Sequence, residues 1–232
     1  MLNQQEKNLL KQEIRKRGIS YLVHFTPLNN LNSILRHGLL PITELQKRNI
    51  PYISTDPQRI DGYSNAVCLS ISFPNYLMFY SVRQKYHERE WAVLLLKPDI
   101  LWEKDCAFNW KNASCKEISR IPIEQRKTLN AFFKMFDNEH GIRDLLGLPD
   151  RYTTDPQAEV LVFDRIEQKY IEFIVLEDRW PILNIDLTNL DQKVLINQDL
   201  LNYQGLENDY FGPRFDYWYW SKSNVMQVHS KC

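Results

Sequence analysis

The segment YTTDPQAEVLVF, residues 152–163, passes from a polar stretch through Pro156 into a short apolar run. It delivers Gln157 and Glu159, two residues apart, at the start of a strand. In an extended chain residues i and i+2 face the same side, so both side chains are expected in one cleft. Taken alone, the triplet is equally compatible with a surface Gln and Glu at the start of a strand, so its meaning rests on the surrounding chain.

Upstream lies GIRDLLGLPDRYTTDPQ (141–157), a long polar segment that reads as a loop, and long loops inside compact domains are often functional. Before it, IPIEQRKTLNAFFKMF (121–136) reads as one helix with Pro122 near its first turn. WAVLLL (91–96), EVLVFD (159–164) and IEFIVL (171–176) are short apolar runs of the kind that fill a sheet core. AVCLSIS (66–72) alternates as a half-buried strand does, and 75–86 reads as a helix. Tyr21–Phe25 is a strand, followed by a short helix through Leu31, Ile34 and Leu35 that Gly38 stops. Tyr52–Asp61 is a loop, and residues 2–17 form a polar, basic helix ended by Gly18. With no repeat, linker or low-complexity tract, the chain reads as one α+β domain over 1–232, with 1–18 a basic N-terminal helix.

Composition narrows the function. Lys+Arg and Asp+Glu both count 29, which excludes a basic coat that binds nucleic acid by bulk charge; any such contact must be local. The chain holds 6 Trp, 12 Tyr and 11 Phe against only 7 Gly, so aromatic surface is abundant and flexible loops are scarce. No apolar run approaches the roughly 18 residues of a membrane span, and the polar start MLNQQEKNLLKQEIRKRG differs from a signal peptide, so no membrane partner and a cytoplasmic location are expected. Cys68, Cys106, Cys115 and Cys232 lack metal-ligand spacing; they read as four reduced thiols, with no metal site.

Four ordered segments carry a resemblance. YLVHFTPLNNLNSILRHGLLP (21–41), DPQRIDGYSNAVCLSISFPNYLMFY (56–80), KNAS (111–114) and YTTDPQAEVLVF (152–163) together resemble the DarT family, bacterial toxins that transfer ADP-ribose from NAD to bases of single-stranded DNA. The resemblance covers roughly residues 20 to 180. It implies the ADP-ribosyltransferase fold, a split mixed β-sandwich core with flanking helices that grips NAD in a cleft. It further implies single-stranded DNA as substrate and a macrodomain antitoxin, DarG-like, as partner.

By that resemblance Glu159 is the catalytic glutamate, residues 141–158 recognise the acceptor, and Gln157 helps choose it. The chemistry agrees. Breaking the nicotinamide–ribose bond develops positive charge on the ribose, which a carboxylate beside it stabilises while holding the 2′-hydroxyl. Arg59 matches a family arginine needed for catalysis, and its guanidinium suits either the NAD pyrophosphate or a base. His24 and Thr26, at the end of the first strand, are placed toward NAD, the imidazole donating to a ribose hydroxyl. Asn30 and Ser33 are further NAD candidates, although Asn30 equally suits a helix cap. Ser70 and Ser72 share a strand face, and Ser70 is assigned to the cleft. Of Tyr76, Phe79 and Tyr80, one ring could stack on nicotinamide, with core packing the default. Arg151, Tyr152 and Gln157 are the expected acceptor contacts, since single strands are held by aromatic stacking and a few cations.

The basic helix 7–17 and the aromatic cluster 215–220 either extend that groove or belong to the core. SISFPNYLMFY (70–80) departs from members that modify thymidine, leaving guanine and thymine both open as acceptor. Alternatives from other classes are an ADP-ribosyltransferase acting on RNA or protein, and a non-catalytic module that binds single-stranded nucleic acid.

Overall fold

The computed structural model describes residues 2–55, 61–177 and 192–221. In chain order the elements are α1 (Gln4–Arg17), β1 (Leu22–Pro27), α2 (Leu31–His37), α3 (Ile42–Lys47), β2 (Val67–Ile71), α4 (Tyr76–Lys85) and β3 (Trp91–Leu96). Then come α5 (Ile100–Glu103), β4 (Cys106–Asn109), α6 (Lys116–Ser119), α7 (Ile123–Arg126), α8 (Leu129–Lys134), α9 (Ile142–Leu146), β5 (Glu159–Val162), β6 (Ile171–Leu176), β7 (Lys193–Ile196) and α10 (Tyr217–Trp220).

The strands run in the order β4-β5-β2-β1-β3-β6-β7. All neighbours are antiparallel except β6 and β7, which are parallel. Every residue of β3 is buried, as an unbroken apolar run requires when both sheet faces are covered. Ala92, Leu94 and Leu96 pack on one face with Leu10 and Ile14 of α1; Trp91, Val93 and Leu95 pack on the other with Phe79 of α4 and with Tyr210 and Phe211. α1 forms as its sequence directs: Asn3 and Glu6 make a reciprocal capping box, and Gly18 closes the helix at φ 66°.

The joint between β2 and β1 positions everything that follows. Only Leu22↔Ile71 and Val23↔Ser70 pair there, whereas the earlier half of β2 pairs with β5 through Val67↔Val162, Cys68↔Leu161 and Leu69↔Val160. From His24 onward β1 continues along β3 and leaves β2. The sheet therefore splits, and a wedge opens between His24–Pro27 and Val67–Leu69.

Several local readings are corrected. The segment 121–136 is two short helices, because Thr128 takes extended backbone and its hydroxyl accepts from the Ala131 N–H, starting a new helix at Leu129. The segment 141–157 holds α9, bounded by Gly141 and Gly147 in the left-handed conformation. Edge strands β4 and β7, four residues each, carry too little pattern to stand out in sequence. Ser72 lies past the end of β2 at φ 62°, so it does not continue the Ser70 face. Cys68 and Cys106 are free thiols, but Cys115 is disulfide-bonded, which corrects the reading of it as reduced. Among the described residues, no helix is long and apolar enough to cross a membrane.

Gly38, between α2 and β2, shows why the wedge depends on a bare backbone. It sits at φ 76°, and a Cβ there would lie 2.3 Å from the Ile166 carbonyl oxygen, beside the Leu39–Ile166 bridge. Gly38→Ala is expected to lower stability by about 2–4 kcal/mol, read as a fall in the urea midpoint.

Candidate active site

A cavity of about 330 Å³ fills the wedge, within the usual range for small-molecule sites. His24, Thr26, Asn30, Ser33, Ser70 and Glu159 all line it, so six of the residues singled out in sequence converge. Arg59 lies outside the described residues. Gln157, Arg151 and Tyr152 do not line the cavity.

Glu159 begins β5, opposite Asn109 of β4. Continuing the β2–β5 register by one residue places it level with Ser70, where β2 exchanges β5 for β1. Its Oε1 accepts the Ala113 N–H at 2.5 Å, and its carbonyl accepts from the Asn109 amide at 3.1 Å. Ala113 belongs to KNAS, a turn closed by the Asn112 side chain on the N–H and hydroxyl of Ser114. The turn thus aims a buried N–H at the carboxylate, and its Asn112 and Ser114 line the cavity. That role could not be read from residue types, because the contacting group is backbone.

The other walls are fixed by side chains that replace the missing ladder. His24 Nδ1 lies 2.9 Å from the Cys68 carbonyl oxygen. A carbonyl only accepts, so Nδ1 carries the proton in this contact. Asn30 does not cap α2. Its amide donates to the Ile53 carbonyl and accepts the Ile53 N–H, both at 2.8 Å, and donates to Thr26 Oγ1. That pairing holds Pro51–Thr55 as a wall of the cavity. Ser70 Oγ accepts the Asn75 N–H, and Asn75 in turn caps α4 through the Met78 N–H. Tyr76 and Phe79 are core residues, and Tyr80 is exposed.

The acceptor segment departs from expectation. Residues 155–158 form a turn, with the Asp155 carboxylate accepting the Gln157 N–H and the Asp155 carbonyl accepting the Ala158 N–H. The same-face argument for Gln157 and Glu159 therefore fails, since it needs extended backbone. Tyr152 is buried beside Phe73 and Tyr76, and its hydroxyl donates to Glu207, so its phenol is pushed well above its ordinary range by burial and by that carboxylate. Arg151 is bidentate to the same Glu207, at 2.8 and 3.2 Å, which holds its guanidinium charged. Tyr152 is thereby closed off, while the Arg151 side chain stays 41% exposed beside Glu207.

Sequence reading also missed two buried arginines. Arg126 has no exposed surface; it donates to Asn109 Oδ1 at 2.8 Å and to the Tyr63 hydroxyl at 2.7 Å. It thereby ties the strand opposite Glu159 to the segment after the arginine loop. Arg143 of α9 donates to the carbonyls of Tyr152 and Pro149 and to Thr154 Oγ1, bracing the acceptor segment from within. Burial, and then the charge of Arg17, lower its pKa. Among the described residues no group of three or more His, Cys, Asp or Glu could hold a metal ion.

With this geometry in view, comparison places the chain. Its fold is that of "Thermosipho africanus DarTG in complex with ADP-ribose" (TM-score 0.52, 18% identity, covering 77% of this chain and 50% of that one) and of "Thermus sp. 2.9 DarT in complex with carba-NAD+" (TM-score 0.50, 15% identity, covering 83% and 98%). The chain spans about half the length of the Thermosipho protein. No curated protein matches it closely enough in sequence to count as a relative. The mixed, split sheet with flanking helices is the ADP-ribosyltransferase fold. The family described as "ssDNA thymidine ADP-ribosyltransferase, DarT" matches residues 23–193, and the chain belongs to that family.

Asn109→Leu tests the buried bracket, because it strips both the Arg126 guanidinium and the Glu159 carbonyl of a partner at an unexposed position. A loss of about 2–3 kcal/mol is expected on denaturant unfolding.

Proposed function

We propose that the chain transfers ADP-ribose from NAD to a nucleobase of single-stranded DNA, releasing nicotinamide, with Glu159 as the catalytic carboxylate. The observation that carries this reading is the Glu159 carboxylate, oriented by the Ala113 N–H, in the wall of the cavity that also holds His24, Thr26, Asn30, Ser33 and Ser70. The residue set fits a nicotinamide riboside: an imidazole, hydroxyls and an amide surround a space of suitable size. When bound, NAD supplies an anomeric carbon whose bond to nicotinamide breaks as a bond to the base forms.

Glu159 holds the ribose 2′-hydroxyl and offsets positive charge developing on the ring. The Ala113 N–H on one carboxylate oxygen fixes the group's rotation. His24, whose Nδ1 is held by the Cys68 carbonyl, meets a ribose hydroxyl. Arg59 clamps phosphate or the base, and Gln157 at the turn before β5 meets the acceptor edge, as family resemblance implies for both.

The family description favours thymidine among the two open bases, and the departure at 70–80 keeps guanine as the competitor. Within a cell the reaction needs both NAD and DNA, which places the protein in the cytoplasm, acting as a toxin held in check by a macrodomain antitoxin that removes the modification.

Four single-stranded oligonucleotides, each offering one base, incubated with NAD and weighed by mass spectrometry, test the proposal. One is expected to gain ADP-ribose. Glu159→Gln keeps an oxygen for the Ala113 N–H, so its melting temperature should hold while turnover falls on the order of 10²–10³-fold. A well-folded Glu159→Gln enzyme with undiminished turnover would overturn the assignment, and binding without any NAD cleavage by the unaltered chain would return the non-catalytic reading.

A further inference from the structure

Residues 207–221 follow the last strand and lie beyond the stretch that the family match covers. They are bonded directly to the acceptor segment. Arg214, almost fully buried, makes a bidentate ion pair with Asp216 and donates to the carbonyls of Thr153 and Thr154. Trp220 donates to Asp216, and the Phe215 ring stacks on Tyr152 with centroids 6.1 Å apart. A guanidinium buried against two carbonyls and a carboxylate fixes this segment to the loop with little freedom.

What that anchoring presents is unusual. Phe215, Tyr217 and Trp218 are 49%, 49% and 45% exposed, three large rings within four residues. Rings of this size are ordinarily buried, and their neighbour Trp220 is. Sequence reading left the cluster open between core and groove; the structure divides it, with Trp220 in the core and these three at the surface. Arg17 of α1, itself paired with Glu13, donates to the Asp150 carbonyl of the same loop, and its helix neighbours Arg15 and Lys16 are exposed. The loop is thus contacted both by the segment that carries the exposed rings and by the basic end of α1.

We propose that Phe215, Tyr217 and Trp218 form a stacking platform for the single-stranded DNA that flanks the modified nucleotide, with the end of α1 meeting its phosphates. This rests on the reading of residues 141–158 as the acceptor segment. Two features commit the surface to a nucleic-acid strand: its continuity with that segment through Arg214 and Phe215, and the contact of the basic end of α1 with the same segment. Base faces stack on aromatic rings whatever the base, and such contacts suit a chain whose net charge is zero. The platform would hold neighbours of the target rather than select the target itself.

The test compares two single-stranded oligonucleotides with the same acceptor base, one of five nucleotides and one of twenty, each with NAD. The variants are Phe215→Ala/Tyr217→Ala/Trp218→Ala, and Tyr217→Ala/Trp218→Ala, which keeps the ring stacked on Tyr152. In both variants KM for the long strand is expected to rise about tenfold or more, with kcat, transfer to the short strand and NAD cleavage without DNA little changed. An unchanged ratio of long-strand to short-strand KM would overturn the platform. If the unaltered chain also sediments as a dimer and the variants as monomers, that result reassigns the surface to a second copy of the chain. Failure of the unaltered chain to modify either strand would remove the acceptor reading, and the platform with it, a result distinct from normal transfer with an unchanged ratio.

Discussion

The sheet has to open between β1 and β2, and the rest of the site is an answer to that constraint. A strand that leaves its neighbour exposes ladder N–H and C=O groups, which are costly to bury without partners. Here side chains stand in for the missing strand. His24 covers the Cys68 carbonyl, and Asn30 pairs with both backbone groups of Ile53 as an adjoining strand would. The residues that make the cleft possible are therefore the ones that line it. Glu159 falls at the point where β2 changes partners, so the carboxylate needs no loop to carry it to the opening.

The acceptor segment is held by a different physics. Between Gly147 and Glu159 it has no strand partner, and its carbonyls are collected by guanidinium groups arriving from three directions: Arg143 from the preceding α9, Arg214 from the C-terminal side and Arg17 from α1. Each guanidinium offers several donors in a fixed plane, which lets one side chain fix two or three carbonyls at once. This makes a rigid frame from an irregular path, with the turn at 155–158 as its tip. The Asp155 carboxylate sets that turn, so the backbone on which Gln157 sits is determined locally.

How much of this was legible depends on the kind of signal. Strands such as Trp91–Leu96 and Ile171–Leu176 announce themselves because both faces are buried, and α1 does so through its polar, basic run ended by Gly18. β4 and β7 did not, since four residues at an edge carry only two periods of alternation. The break at Thr128 was hidden because apolar spacing continues across it while the hydroxyl caps a new helix. At the site, His24, Thr26, Asn30, Ser33, Ser70 and Glu159 converge as resemblance implied, because side chains of those types can be matched one by one. The setting of Tyr152 and Arg151 was not legible: Glu207, more than fifty residues downstream, bonds both of them. The Ala113 N–H was invisible for a simpler reason, that every residue has one.

The buried arginines also explain what the charge balance means. Equal counts of acidic and basic residues suggested few cations for nucleic acid, yet a count does not say where the cations are. Arg126, Arg143 and Arg214 are all buried, and two of them, Arg126 and Arg143, bond to neutral oxygens rather than to carboxylates among the described residues. Their charge is committed to architecture. The surface beside residues 141–158 is left with the short basic end of α1 and with exposed rings. On the proposed reading such a surface would hold a strand through stacking more than through phosphate neutralisation, and recognition would be confined to a few nucleotides around one base, because neither rings nor a single helix end extend far enough to track a long strand.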